Sequence, residues 1–313
     1  MNTLLNLGFV FVAGLLTALA TGLGALPFFF VDDFSDRWNV ALWGIASGIM
    51  VAASLFGLVN EGLAYAADGF STLLVGGLVA GVLLVEVSDR VLDATNVGGD
   101  AGATADAQRE TDSEPGTRVA SADAGASSVG NGGAAHSHDH PIDVEAIAEG
   151  DPKKLVLILG ILTVHSFPEG VAVGVSFAEL GLEDGVGVLG LSVPLLAVFM
   201  TVAISIHNIP EGTAIAIPMR AMGLSKWRMV GAAVFSSLPQ PIGAVIAFVF
   251  VTWAESFLPF GFGFAAGAMV YLVLTEFIPE ALATGVDLPR GGYGELAAGV
   301  AAGVVAMLPL LYV

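Results

Sequence analysis

The chain has 313 residues, of which 55% are hydrophobic and only 12% charged, with a formal net charge of −19 and no cysteine. A soluble domain carries about a quarter charged residues, so most of this chain belongs in an apolar solvent. The missing cysteines exclude disulfides, thiolate metal ligands and cysteine nucleophiles, and the lack of a basic patch disfavours nucleic-acid binding, so no nucleic-acid partner is expected. A helix needs about 20 apolar residues to cross a bilayer. Such runs fall at 4–28, 40–60, 70–91, 154–178, 188–218, 227–252, 258–280 and 292–313. The predicted fold is therefore all-α, a polytopic membrane protein of eight transmembrane helices. Residues 1–92 hold spans one to three and 153–313 hold spans four to eight, together forming one membrane domain. Residues 93–152 are rich in Gly, Ala, Ser and Asp, carry much of the excess acid, and read as a disordered loop.

The ten basic residues lie in or beside alternate connections: Arg37, then Arg90 to Lys154 around the long loop, then Arg220, Lys226 and Arg228, then Arg290. The positive-inside rule puts the loop in the cytoplasm and both termini outside a plasma membrane. Internal similarity is visible too. Gly44-Ile-Ala-Ser-Gly48-Ile-Met50-Val51 in span two is echoed by Gly263-Phe-Ala-Ala-Gly267-Ala-Met269-Val270 in span seven. The same offset pairs Glu61 with Glu280 and Leu63 with Leu282. Spans 1–3 and 6–8 then read as repeats around a central pair, a 3+2+3 inverted-repeat arrangement of the kind found in transporters.

Spans four and five share a six-residue motif, His165-Ser-Phe-Pro-Glu169-Gly and His207-Asn-Ile-Pro-Glu211-Gly. Ionisable groups inside a bilayer cost at least ~2.5–3.5 kcal/mol each and mark function. The four-residue spacing puts each His and Glu on one helix face. Pro168 and Pro210 remove the N–H groups that would reach the carbonyls of Val164 and Ile206, and a kink is expected beside each polar pair. Two imidazoles and two carboxylates suit Zn²⁺, and also Fe²⁺, Mn²⁺ or Cd²⁺. Ser166 and Asn208 add neutral oxygens. The predicted function is transport of such an ion, most simply Zn²⁺ uptake, with the metal as substrate.

These motifs and this layout resemble the ZIP (Zrt/Irt-like) family of metal transporters over nearly the whole chain. The family's ligand positions on its fourth and fifth spans fall on His165, Glu169, His207 and Glu211, and His136-Ser-His138-Asp-His140 resembles its His-rich loop element. Gly22-Leu-Gly24-Ala-Leu-Pro27 and Ser47-Gly48-Ile-Met50 are similar to the prokaryotic branch related to the GufA proteins, which implies that Met50 approaches the site. The resemblance gives Glu276 an exit-path role, against the alternative of a snorkelling interfacial acid. Some relatives place a Glu in span six that helps hold a second ion. Here the matching segment is Ser237-Leu-Pro239-Gln240-Pro241, and Gln240 offers a carbonyl oxygen without charge. One firm site is expected and any second ion is weak. The resemblance also implies an elevator-like motion of spans 1, 4, 5 and 6 against 2, 3, 7 and 8, and a homodimer.

Other acids have plainer expectations. Glu61 reads as interfacial, and Glu86 and Asp89 as cation attractors near the inner mouth of span three. His136, His138 and His140 read as a capture or regulatory element, since imidazoles are mostly unprotonated at neutral pH. The rival reading is a membrane-embedded zinc metallohydrolase, which would need three protein ligands, an open water position and a general base. No His-Glu-x-x-His helix supports it, so the chain is expected not to be an enzyme.

Overall fold

A computed structural model describes residues 3–30, 35–65, 71–94, 152–180, 185–188 and 190–309. Residues 95–151, with His136, His138 and His140, lie outside them. The described residues form eight helical stretches: α1 (Thr3–Leu23), α2 (Asp36–Ala64), α3 (Thr72–Ala94), α4 (Pro152–Ser176), α5 (Leu195–Ala221), α6 (Lys226–Trp253), α7 (Glu255–Thr284) and α8 (Tyr293–Met307). Six of them, α1, α2, α3, α5, α6 and α7, are long and apolar enough to cross a membrane.

Span five was expected from residue 188, but α5 starts at Leu195. The residues before it form a small antiparallel hairpin, β1 (Val186–Val188) with β2 (Leu191–Val193), turning at Gly190 with φ 84°. Pro194 explains the boundary, because it keeps the residue before it extended and stands at the N-cap itself.

The helical path continues through Pro168 in α4 and Pro210 in α5. The departures from α geometry lie instead in α2 and α7, as π segments at Ala53–Val59 and Val273–Phe277. Such segments cluster at functional sites in helices. In α6 the path breaks at Ser237-Leu238 and resumes with Pro239 at its first turn, where a missing N–H costs nothing.

The closest helix pairs sort into two groups. In one, α2 packs on α8 and α3 on α7; in the other, α4 packs on α6 and α1 on both α5 and α6. Small residues permit this proximity, as is usual between helices in lipid. Gly44 and Gly48 face the backbone at Leu296–Val300, and Gly299 and Gly303 face that at Ala41 and Ile45. Gly263 and Gly267 face Leu74 and Leu78, while Gly77 and Gly81 face Phe260 and Phe264. In the second group Gly170 and Gly174 lie against the carbonyls of Gln240 and Ala244, and Gly24 and Gly212 lie where α1 meets α5. A side chain at any of these positions would collide with backbone, which cannot yield as a side-chain tip can. Gly267→Val is therefore expected to destabilise the fold by about 1–3 kcal/mol or more through overpacking. A lower melting temperature and less monodisperse protein in detergent would register this, and wild-type melting would refute the packing argument.

Candidate metal centre

Helix α4 carries His165 and Glu169 one turn apart, and α5 carries His207 and Glu211 likewise. All four are buried, with relative exposures of 1%, 0%, 0% and 2%. The contacts do not simply pair each His with the Glu on its own helix. His207 Nε2 lies 3.1 Å from Glu169 Oε1 on α4 and 3.3 Å from Glu211 Oε1 on α5. Glu169, His207 and Glu211 thus offer ligand atoms all within 4.8 Å of one another. His165 joins a second cluster. Its Nε2 is 3.1 Å from Asp89 Oδ1 on α3, and Glu276 on α7 completes a triad within the same 4.8 Å limit.

The four residues expected as one set are therefore divided between two adjoining triads. The first lies wholly on α4 and α5. The second joins His165 on α4 to acids on α3 and α7, which belong to the other helix group. Sequence reasoning placed Asp89 only at the inner mouth of span three. The available signal was an acid within the last turns of an apolar run, three residues after Glu86 on the same helix. Glu86 has its own partners, accepting from the Tyr271 hydroxyl and pairing with Arg90 at 2.5 Å.

Around the triads, Ser166 donates its hydroxyl to the Leu162 carbonyl at 2.9 Å, a bond back along its own helix. Asn208 Nδ2 donates to Thr17 O at 2.7 Å and to Gln240 Oε1 at 3.0 Å. Gln240 Nε2 in turn donates to Glu169 Oε2. The carbonyl on which the sequence reading relied at Gln240 is thus engaged by Asn208. Met50 is fully buried in the apolar core of α2, three residues before its π segment. The ring of Phe277, inside the π segment of α7, stacks on His207 at 4.9 Å and meets Trp43 at 5.0 Å.

At the far end of α2, Glu61 and Tyr65 line a cavity of about 240 Å³ with Ser176 and Glu179. The Tyr65 hydroxyl donates to the Glu179 carboxylate, and burial, aided by that bond, pushes the phenol above its usual range.

Chemically, the first triad places two carboxylates and one imidazole out of contact with water. Buried charges require compensation, and a divalent cation would supply more of it than a proton. Among the described residues, His165 Nδ1, His207 Nδ1 and Asn208 Oδ1 are buried with no hydrogen-bond partner. Such orphaned polar atoms are uncommon in folded proteins, and imidazole nitrogen and amide oxygen are atom types that bind Zn²⁺ and its neighbours.

Helices long and apolar enough to cross a membrane, enclosing buried His-carboxylate clusters, define a multi-pass membrane protein with sites suited to a cation. Over residues 7–308 the chain matches the family described as ZIP zinc transporter, and it belongs to that family. It is 31% identical to the zinc transporter GufA of Myxococcus xanthus over 287 residues, 90% of this chain and 89% of that one. It is 30% identical to the zinc transporter ZIPB of Bordetella bronchiseptica over 275 residues, 88% and 73% of the two chains. An Arabidopsis thaliana protein named as a candidate zinc transporter is 35% identical over 264 residues, 84% of this chain. That match spans only 33% of the plant protein's length, and a match to the zinc transporter ZIP11 of Xenopus tropicalis spans 38% of its length. Membership of a transporter family leaves the metallohydrolase reading without support.

Proposed function

We propose that the chain carries a divalent transition-metal ion, Zn²⁺ foremost, across the plasma membrane into the cytoplasm, using the two triads in succession. The supporting observation is their division between helix groups. Glu169, His207 and Glu211 ride together on α4 and α5, whereas His165 reaches Asp89 and Glu276 on α3 and α7. An ion held by the first triad could pass to His165 and then to acids of the other group without meeting lipid. Asp89 and Glu276 stand nearer the ends of α3 and α7 that the basic residues assign to the inside. His136, His138 and His140 are assigned to capture on that side.

Eight spans in a 3+2+3 inverted repeat, with both termini outside, account best for the pattern. The two π segments fall at the offset that relates Gly44 to Gly263, and the glycine contacts of α2 with α8 resemble those of α7 with α3. The two packed groups match the sets 1, 4, 5, 6 and 2, 3, 7, 8 that an elevator motion would need. A homodimer through the second group is part of the proposal.

Uptake into proteoliposomes from a panel of divalent metals, with and without a pH gradient, tests the function. Metal-dependent flux led by Zn²⁺ is expected, and binding without flux would overturn it. Asp89→Ala separates the two triads. It should lower the uptake rate by about 10–100-fold, the usual range for removing a group that supports a metal ligand, while equilibrium binding at the first triad persists. Unchanged flux in this variant would remove Asp89 from the path.

A further inference from the structure

A chain of hydrogen bonds crosses four helices at the site: Thr17 on α1, Asn208 on α5, Gln240 on α6 and Glu169 on α4. Amide oxygens and nitrogens are ordinarily assigned from their surroundings, and here the surroundings permit one assignment. The Thr17 backbone oxygen can only accept, so the Asn208 atom 2.7 Å away must be its NH₂. The second hydrogen of that NH₂ goes to Gln240 Oε1 at 3.0 Å. With its oxygen held there, Gln240 turns its own NH₂ toward Glu169 and donates to Oε2. Thr17, Asn208, Gln240 and Glu169 are all fully buried, so the orientation is not averaged by solvent. Gln240 therefore presents hydrogen, not oxygen, to Glu169. It occupies one carboxylate oxygen and leaves Oε1, the atom 3.1 Å from His207 Nε2.

We propose that Gln240 is a positioning residue that confines Glu169 to one-oxygen ligation and so favours small four-coordinate cations over larger, oxygen-rich ones. This rests on the reading of Glu169 as a cargo ligand. Zn²⁺ is satisfied by four ligands with single carboxylate oxygens. Mn²⁺ and similar hard ions prefer about six oxygens and gain from bidentate carboxylates. A donor fixed on Oε2 withholds that second oxygen from every cation.

The test is paired Zn²⁺ and Mn²⁺ uptake by Gln240→Met, which keeps the volume and removes the donor, and Gln240→Glu, which also adds oxygen. The Mn²⁺-to-Zn²⁺ ratio should rise about tenfold in Gln240→Met, the worth of one hydrogen bond to a charged group, and further in Gln240→Glu. Both uptakes changing by the same factor would mean a structural role only and would overturn the inference. Should either variant fail to transport, Co²⁺ absorption of the purified protein decides. Intense four-coordinate bands in the wild type that weaken in both variants support the proposal, and identical spectra refute it. Glu169→Ala keeps the two readings apart. Wild-type Zn²⁺ uptake in that variant would sink the ligand assignment itself, whereas its loss, with an unmoved ratio in the Gln240 variants, would sink the positioning role alone.

Discussion

Zinc uptake should fall about 10²–10³-fold when Glu211 is replaced by alanine, since a cation in the site loses a buried anionic partner. The reason is geometric. His207 Nε2 stands 3.3 Å from Glu211 and 3.1 Å from Glu169, so the cation that enters between them loses one of two anionic ligands. No water replaces it readily, because the position is buried. The fold should survive. In the variant Glu169 still stands 3.1 Å from His207 Nε2, so the buried imidazole keeps a carboxylate partner and the chain should remain folded. What it should lose is stabilisation by metal, about 2.7 kcal/mol for wild type at a hundred times the dissociation constant. Melting curves with and without Zn²⁺, beside proteoliposome flux, give both readouts. A variant that transports normally would remove Glu211 from the site, and one that unfolds would show that its role is packing.

The second large effect is of pH. Metal binding requires neutral imidazole and ionised carboxylate, so protons compete with the ion. The groups facing His207 are Glu169 and Glu211, and those facing His165 are Asp89 and Glu276. Metal and proton compete for the same imidazole nitrogens, so loading expels protons. Uptake should therefore rise with pH and fall as the pH drops through the histidine range. Where both imidazoles are protonated, the slope approaches about tenfold per pH unit for each, or roughly a hundredfold for the two. His165→Gln should reduce the limiting slope to that of one imidazole while residual flux remains. A flat profile between about pH 5 and 7.5, where histidine titrates, would contradict imidazole ligation altogether.

Much of this was legible in the residues. The apolar runs fixed an all-α membrane protein, because only helices or closed barrels satisfy backbone polar groups in lipid. The repeated His-x-x-Pro-Glu-Gly singled out α4 and α5, because charge inside an apolar run is costly unless used. Local pattern had less hold on helix ends and irregularities. The start of α5 at Leu195 depends on a hairpin that forms only when Val186–Val188 meets Leu191–Val193. The π segments depend on neighbours that accommodate the extra residue, and Pro168 and Pro210 lie within continuous helices.

The site divides in the same way. Sequence alone placed His165, Glu169, His207 and Glu211 within apolar runs and each His on one helix face with a Glu, since helical spacing is a local property. Only the tertiary structure decided which of them meet. Asp89 reaches His165 because α3 and α4 pack side by side, a contact across 76 positions that no spacing rule contains. Glu169 faces His207 of the next helix, and Gln240 turns its NH₂ rather than its oxygen to Glu169 because the backbone carbonyl of Thr17, on a fourth helix, can only accept. Periodicity reports the face a side chain occupies. Its partner is set by how the helices pack, and here glycines that bring backbones together set that packing.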